Sequence, residues 1–215
     1  MKTGIGARVF RKEDARHLNG ASQFVGDIKM TNLWEAAYVR SSLAHARIKS
    51  ITKPTGYEDH IFTMCDMVGM KPIAAQSTLP TYNQSDHWPL ANKKVRFVGE
   101  CIAMCVAPTR AEAEDLAEAV IVDLEPLPVH VSIETALAPG AEKLHDEWAD
   151  NLFLTTEFDN DLTEARKNAT VTIEREYSTA RQCMNPMEGK GTLAYWDGKA
   201  EQLVFYTSTQ VPHLI

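Results

Sequence analysis

The stretch VRFVGECIAMCVAPTRAEAEDLAEAVIVDLEP, residues 95–126, decides the fold class of this 215-residue chain. Its opening part is rich in β-branched, aromatic and small apolar residues, which predicts a strand with Gly99 at a bulge or hairpin turn. Thr109 and Glu112 have the spacing of a capping box, so a helix is expected to follow. The apolar run 121–125 predicts a second strand. Strand, capped helix and strand in succession indicate an α/β unit.

The sequence before this unit predicts two strands and two less regular stretches. Residues 33–40 favour a strand because they are rich in aromatic and β-branched side chains. Residues 45–51 alternate in the manner of a half-buried strand. Residues 24–28 predict a short extended segment at a sheet edge. The polar, proline-containing run 74–92 predicts a long surface loop.

The sequence after the unit predicts one further strand and a hairpin. Residues 169–177 alternate between apolar and polar side chains, which is typical of a strand. The apolar runs 192–195 and 202–207 flank Asp197 and Gly198. An Asp-Gly turn between two apolar runs indicates a β-hairpin.

The composition is that of an ordinary globular protein, with 44% hydrophobic and 24% charged residues. The formal net charge of −7 argues against nucleic acid as a partner, since phosphate contacts require clustered lysine and arginine. No apolar run approaches the roughly 20 residues of a membrane-spanning helix. Residues 1–6 lack the apolar core of a signal peptide. The sequence therefore predicts a cytoplasmic protein without a membrane span.

The side chains with catalytic or metal-binding potential form no recognisable motif. The cysteines and histidines lack the spacings of zinc and redox sites, so no metal site is predicted. Cys101 and Cys105 lie in an apolar run and are expected to be buried structural thiols. Cys183 has no Cys-His signature around it, which favours an inert thiol over a catalytic one. Asp159 and Asp161 fit the start of a short helix better than an acid/base pair.

Four short motifs, taken in order, resemble the molybdenum-cofactor-binding large subunit of the xanthine dehydrogenase/aldehyde oxidase family. They are GARVFRKED with its continuation over 6–28, RSSLAHARI at 40–48, VRFVGE at 95–100 and LEPLP at 124–128. Ser42 stands where the family usually has proline. Each motif alone is weak, but four in the family's order and spacing make the resemblance specific.

The resemblance implies an α/β fold with mixed helices and sheets. An N-terminal segment and an α/β hammerhead domain are expected over 1–135. A linker and the truncated start of a molybdopterin-binding domain are expected over 136–215. The match continues through RQCMNPME, residues 181–188. Glu188 in that stretch fits a structural carboxylate that holds backbone or arginine groups.

The segment TSTQVPH, residues 207–213, is similar to the family's STQ.PH motif and implies one cofactor-binding residue, Gln210. In the family, the glutamine of this motif hydrogen-bonds an oxo ligand of the molybdenum centre. A neutral amide can donate to an oxo group without adding charge beside the metal. The alternative is that Gln210 satisfies backbone groups after a strand, which is the commoner use of such side chains.

The resemblance also implies an activity, cofactors and partners. The family oxidises an aldehyde or an N-heterocycle with oxygen from water, passes a hydride to a sulfido ligand of molybdenum, and sends electrons to iron-sulfur and FAD centres. The implied cofactor is molybdenum-molybdopterin in its cytosine dinucleotide form. The [2Fe-2S] clusters and the FAD are implied on partner subunits, and the cofactors carry the redox chemistry.

The family's glycine-rich segment and its catalytic glutamate match no residues of this sequence. We therefore expect no catalytic residue in the chain and an inactive fragment of a longer subunit. Two alternatives stay open. One is a non-catalytic assembly or binding module. The other is one half of a split enzyme whose second chain completes the molybdenum site.

Overall fold

The chain divides into two compact units. The larger, which we call the central unit, is Asn32–Thr170, and the smaller, which we call the terminal unit, joins Met1–Thr31 to Val171–Ile215. The structure, a computed structural model, describes residues 4–74, 77–157 and 160–210. The predicted domains 1–135 and 136–215 stay a prediction.

Helices and strands both contribute to the fold, as predicted, and the strand pairs of the described residues are all antiparallel. In chain order the elements are α1 (Asp14–Leu18), β1 (Glu35–Arg40), β2 (Ala46–Thr52), β3 (Ile61–Phe62), β4 (Ile73–Ala74), β5 (Asp86–His87), β6 (Lys94–Val95), β7 (Cys101–Ala107), α2 (Arg110–Ala119), β8 (Ile121–Pro126), α3 (Ile133–Ala136), α4 (Thr163–Asn168), β9 (Thr192–Asp197) and β10 (Gln202–Thr207). Short 3-10 helices form at Val25–Asp27 and Glu58–His60.

The central unit contains two three-stranded antiparallel sheets. In the first, β7 lies between β1 and β3, and in the second, β2 lies between β6 and β8. Strand β7 is deeply buried, because Ile102, Ala103 and Cys105 are each at most 1% exposed. Its side chains enter three apolar clusters: one shared with β2 and β6, one with β3, and one with β1 and α2. The core of the central unit is therefore centred on β7.

Helix α2 begins with the predicted capping box. The Glu112 amide donates to Thr109 Oγ1 (3.3 Å), and the Thr109 amide donates to Glu112 Oε2 (3.1 Å). Ala113, on the inner face of the helix, is fully buried against Ala37 and Ala107. Three methyl side chains at this contact let α2 lie close against β1 and β7.

Other short-range predictions are also confirmed. Strands β1, β2 and β8 form where the sequence predicts them, with a register shift in β2 between Ile48 and Ser50. At the start of α4, the Thr163 amide donates to Asp161 Oδ1 (2.9 Å), which is the predicted helix-terminal role. Asp159, its predicted companion, lies outside the described residues.

Of the bulge or hairpin turn predicted at Gly99, a turn does form, with φ of +88°, but it does not close a hairpin. Strands β6 and β7, on either side of it, belong to different sheets. The turn is instead tied to the end of β1, because the Ser41 amide donates to the Glu100 carbonyl (2.9 Å) and the Gly99 amide donates to the Ser41 carbonyl (2.8 Å). The apolar run 95–107 thus contributes strands to both sheets of the central unit. The periodicity of the run alone does not show this division.

Two further predictions of extended structure are wrong. The stretch 24–28 contains a 3-10 helix, because the Asp27 carboxylate accepts from the Phe24 amide (3.0 Å) and the Asp27 amide donates to the Phe24 carbonyl (3.0 Å). Of the predicted strand 169–177, no part pairs with a strand in the described chain, and its side chains are exposed. An alternating pattern does not make a strand where its backbone groups have no neighbouring edge to bond.

The predicted surface loop 74–92 is only partly at the surface. Leu90 and Ala91 are 2% and 5% exposed, and the Ala91 amide donates to the Cys101 carbonyl (2.6 Å). Strand β5 within the loop pairs with β4. Polar residues and prolines dominate the composition of this stretch, and they conceal the two apolar side chains that anchor it.

The terminal unit is organised around the predicted hairpin of β9 and β10, which pair antiparallel along their whole length. The Asp197 carboxylate accepts from the backbone amides of Lys199 (2.9 Å) and Ala200 (3.2 Å), which closes the turn 198–201. Leu193, on the inner face of the hairpin, is 7% exposed. The hairpin fixes the direction in which the chain leaves β10.

A buried lysine fastens the segment 141–151 to the second sheet of the central unit. Lys94 on β6 is 2% exposed, and its ammonium group donates to Asp146 Oδ1 (2.9 Å) and to the Lys143 carbonyl (2.6 Å). The side chain of Asn151 bonds three backbone groups near the same segment. A buried ammonium group is tolerated here because it has both hydrogen bonds and a counter-charge.

His45 lies beside this ion pair and is kept neutral by burial. Its Nδ1–H donates to the Pro128 carbonyl (2.7 Å), so Nε2 carries the lone pair. Nε2 is buried without a hydrogen-bond partner in the described structure. Burial lowers the pKa of His45 below 6.5, and Lys94 lowers it further. The stabilising contribution of neutral His45 is therefore complete above pH 6.5 and is lost as the pH falls through the lower folded pKa.

The ion pair of Lys94 and Asp146 predicts unequal effects of removing its two partners. Asp146→Ala is expected to lower the free energy of unfolding by roughly 3 kcal/mol, because it leaves a buried ammonium group without its counter-charge. Lys94→Met is expected to cost less, because the carboxylate left behind is 55% exposed and can be hydrated. Urea denaturation at pH 7 measures both changes.

Acid gives an independent check on the same ion pair. The hydrogen bond from Lys94 holds the pKa of Asp146 below 3.8, so its contribution is complete above pH 3.8 and is lost as the pH falls through the lower folded value. The difference in stability between the wild-type protein and Asp146→Ala should therefore shrink below pH 3.8. Equal costs for the two substitutions, or a difference independent of pH, would contradict the assignment.

Candidate functional site

A cavity of about 620 Å³ in the terminal unit includes the residue that the sequence assigns to cofactor binding. Four stretches of chain line it: the end of α1, the segment 22–25, the loop 186–190 and the end of β10 with the residues after it. The lining residues are Arg16, His17, Ser22, Gln23, Phe24, Val25, Pro186, Glu188, Gly189, Lys190, Thr207, Ser208, Thr209 and Gln210.

Ser208 holds two walls of the cavity together. Its hydroxyl oxygen accepts from the Gly191 amide (2.8 Å), and its hydroxyl proton is within reach of the Gly189 carbonyl (3.1 Å). The Ser208 amide also donates to the Gly191 carbonyl (3.0 Å). These bonds fix the loop before β9 against the end of β10, and they place Gln210 at the rim of the cavity.

The N-terminal segment approaches the same loop closely at a glycine. A Cβ atom added at Gly191 would lie 3.3 Å from side-chain atoms of Val25. A Cβ atom added at Gly189 would meet nothing within 4 Å. Only glycine allows this approach without displacing Val25, so Gly191 sets how close the segment 22–25 lies to the hairpin.

Gln210 is exposed, and its amide makes no hydrogen bond to any described residue. No bond to a backbone group of the described residues supports the alternative, and the cofactor-binding role of Gln210 stays a prediction. A free amide at a cavity rim fits a group that offers an acceptor such as an oxo ligand. The rest of the motif, Val211, Pro212 and His213, lies outside the described residues.

The charged side chains of the cavity are unpaired. Arg16, Lys190 and Glu188 form no ion pair with one another or with other described residues. Glu188, predicted to hold backbone or arginine groups, makes no such bond within the described chain. His17 is engaged, because its Nδ1 lies 2.6 Å from the Ser22 hydroxyl oxygen. Among the described residues, the lining thus offers two free cations, one free carboxylate and the free amides of its two glutamines.

The cysteines are all reduced, and they differ in burial. Cys105 is fully buried, which raises the pKa of its thiol, whereas Cys101 is only partly buried. Cys183 is exposed and donates weakly to the neighbouring Met184 carbonyl (3.4 Å). Among the described residues there is no group of three or more His, Cys, Asp and Glu that could hold a metal ion. No helix in that part of the chain has the length and apolar character needed to cross a membrane.

Comparison with known protein families identifies the fold of both parts of the chain. A family model described as "Aldehyde oxidase and xanthine dehydrogenase, a/b hammerhead domain" matches residues 19–128, and one described as "Molybdopterin cofactor-binding domain" matches 144–215. The first match alone covers half of the chain. The chain therefore belongs to the aldehyde oxidase and xanthine dehydrogenase family, and the predicted order of a hammerhead domain and the start of a molybdopterin-binding domain is confirmed.

Individual relatives agree with the family assignment. The chain is 33% identical to the nicotine 6-hydroxylase large subunit of Paenarthrobacter nicotinovorans, over 98% of this chain and 26% of the relative. It is 30% identical to the carbon monoxide dehydrogenase large chain of Hydrogenophaga pseudoflava, over 99% of this chain and 28% of the relative. The solved quinoline 2-oxidoreductase from Pseudomonas putida 86 superposes with a TM-score of 0.87 at 31% identity, covering 100% of this chain and 28% of that one. The chain thus spans about a quarter of the length of these relatives.

The sequence did not reveal the part that the N-terminal segment takes in the cavity. Its motif at 6–28 resembled the family, but the resemblance assigned no site residue there. The structure brings Arg16, Phe24 and Val25 to the cavity that Gln210 lines. Gly191 was the one residue that could have indicated this contact, because a side chain there would collide with Val25, which is far away in sequence.

Gly191 and Gly189 provide a matched pair of substitutions. Gly191→Ala is expected to lower the free energy of unfolding by about 1–2 kcal/mol, because the new methyl group pushes against Val25 in a closely packed contact. Gly189→Ala should stay within roughly 0.5 kcal/mol of the wild-type protein, because it enters open space. Urea denaturation measures both. Equal effects would show that Val25 and Gly191 do not touch in solution.

Proposed function

We propose that the chain is part of the large subunit of a molybdenum hydroxylase, an oxidoreductase that oxidises an aldehyde or an N-heterocycle with oxygen from water. The observation that carries the proposal is Gln210, a free amide at the rim of a 620 Å³ cavity in a segment that matches the molybdopterin cofactor-binding domain. The relatives support it, since each is named as a hydroxylase, dehydrogenase or oxidoreductase.

The proposed cofactor is molybdenum-molybdopterin, in its cytosine dinucleotide form. When bound, it supplies the oxidation chemistry, which side chains alone cannot perform. The proposed partners are subunits that carry [2Fe-2S] clusters and FAD and remove the electrons. Support comes from the relatives' names, which include a large subunit, a large chain and a subunit gamma of a dehydrogenase complex.

Gln210 orients the cofactor through a hydrogen bond and takes no part in proton transfer. Its side-chain NH₂ donates to an oxo ligand, and because the amide is neutral it leaves the charge at the metal unchanged. Ser208 supports this role, because its bonds to Gly189 and Gly191 fix the backbone two residues before the amide. No residue of this chain is proposed as the catalytic base.

Exposed apolar side chains on the outer face of the hairpin also support the proposal that this chain is part of a larger subunit. Trp196 on β9 faces Leu203 on β10, and Phe205 lies on the same side of the two strands. These side chains are 65%, 63% and 45% exposed. A two-stranded ribbon with an apolar face is marginal by itself and needs a covering layer. We propose that other parts of the large subunit supply this layer.

Substitutions at Gln210 test the proposal in the full-length subunit assembled with its partners. Gln210→Ala is expected to lower kcat or the molybdenum content by about 10- to 100-fold, as is usual for groups that orient a metal site from outside its ligands. Gln210→Glu should be at least as damaging, because its charge opposes that of the oxo group. The measurements are steady-state turnover and molybdenum per subunit.

Gln202→Ala is the control for Gln210, because Gln202 is an exposed glutamine at the start of β10, the strand that precedes Gln210, and lies outside the cavity. It should leave both turnover and molybdenum content unchanged. A wild-type protein without molybdenum would reject the proposed cofactor and favour a non-catalytic module. Normal turnover and molybdenum content in Gln210→Ala would reject the proposed role of Gln210 but leave the proposed cofactor in place.

A further inference from the structure

We propose that Arg16 and Lys190 form an oxyanion-binding pair in the cavity beside Gln210. Its ligand is a phosphate-like or carboxylate group, which belongs either to the bound cofactor or to a substrate. The proposal deepens the proposed function, because it places a second recognition element in the same cavity. It also brings the N-terminal segment into the binding site.

Arg16 and Lys190 are brought to one cavity by two separate stretches of the chain. Arg16 lies in the last turn of α1, and Lys190 lies in the loop before β9, so the two cations come from opposite ends of the sequence. Both line the cavity that Gln210 lines. The loop of Lys190 is fixed by the Ser208 hydroxyl, and the contact of Val25 with Gly191 brings the N-terminal segment to it. The pair is therefore held by contacts that do not involve the two charges.

Both cations are free of ion pairs with the described residues. In the described chain neither Arg16 nor Lys190 has an ion-pair partner. Arg11, in the same N-terminal segment, is paired by contrast with Asp14 (2.9 Å). An arginine that keeps its five N–H donors unused at a cavity wall is suited to a planar or tetrahedral oxyanion.

The local charge of the cavity lining differs in sign from that of the whole chain. The whole chain carries a formal net charge of −7, whereas the cavity lining has Arg16 and Lys190 against one carboxylate, Glu188. A locally positive cavity in an acidic protein attracts anions. The Gln210 amide adds a neutral donor at the rim, where it can bond an oxyanion without adding charge.

The backbone around Lys190 is accessible to a ligand. Lys190 stands between Gly189 and Gly191, and neither neighbour has a side chain that would cover the peptide groups. The amides of Gly189 and Lys190 donate to no described acceptor, whereas the Gly191 amide is used by Ser208. Open backbone amides beside a lysine are a recurrent feature of anion sites.

The test uses Arg16→Gln, Lys190→Gln and the double variant in the full-length subunit. Two measurements are made. The first is the cofactor content, as molybdenum and cytidine monophosphate released per purified subunit. The second is the Kd for inorganic pyrophosphate, measured by calorimetry on protein produced without molybdate. Each substitution should weaken the binding of the anion by about tenfold, because a hydrogen bond to a charged group is lost. Lys190→Arg, which keeps the charge, should retain most of the affinity.

Arg11→Gln and Lys199→Gln are the controls, because they remove cations of the same unit that lie outside the cavity. Reduced molybdenum and nucleotide in the double variant would identify the anion as part of the cofactor. Unchanged cofactor content with weakened pyrophosphate binding would identify it as a substrate group. If the double variant matches the controls in cofactor content and in pyrophosphate affinity, the oxyanion pair is rejected. A wild-type protein without molybdenum would reject the proposed function, whereas the pyrophosphate titration would still decide the pair.

Discussion

Burial of strand β7 is the constraint on which the central unit depends. The strand pairs with β1 and β3, lies against α2 and contributes to the clusters that join the two sheets. Small side chains, among them Ala103 and Cys105 with no exposed surface, make these contacts possible. An interior packed to this density tolerates little change in volume. The buried ammonium group of Lys94 extends the same core outward, because it brings the segment 141–151 into contact with the second sheet.

The terminal unit follows a different principle. Few of its described side chains are buried, and its cavity is defined by local polar contacts, above all those of Ser208, and by the approach of Val25 to Gly191. Regions with few buried apolar contacts open at low free-energy cost. This is what a binding region requires if its ligand and neighbouring parts of a subunit complete it. The free cations and the free Gln210 amide are consistent with that role, because they are donors without acceptors among the described residues.

The sequence predicted those features whose causes lie within a few residues. The capping box at Thr109, the hairpin closed by Asp197 and the helix start at Asp161 all form through bonds between near neighbours. The hairpin considered at Gly99 and the strand predicted over 169–177 do not form, because sheet membership depends on a distant partner edge. Gln210 was assigned through family resemblance alone, since an exposed glutamine after a strand carries no signal of its own. The presence of Arg16 in the cavity lining could not be predicted, because it depends on the approach of Val25 to Gly191, which is far away in sequence.

The central claim is that the terminal unit presents Gln210 to an oxo ligand of a molybdenum cofactor. A crystal structure of the full-length subunit with its cofactor bound tests this claim most directly. The account predicts that Nε2 of Gln210 lies within about 3.2 Å of an oxo ligand, the range of an ordinary hydrogen bond. A bound cofactor with the Gln210 amide turned away from the metal, or bonded to backbone groups instead, would contradict it.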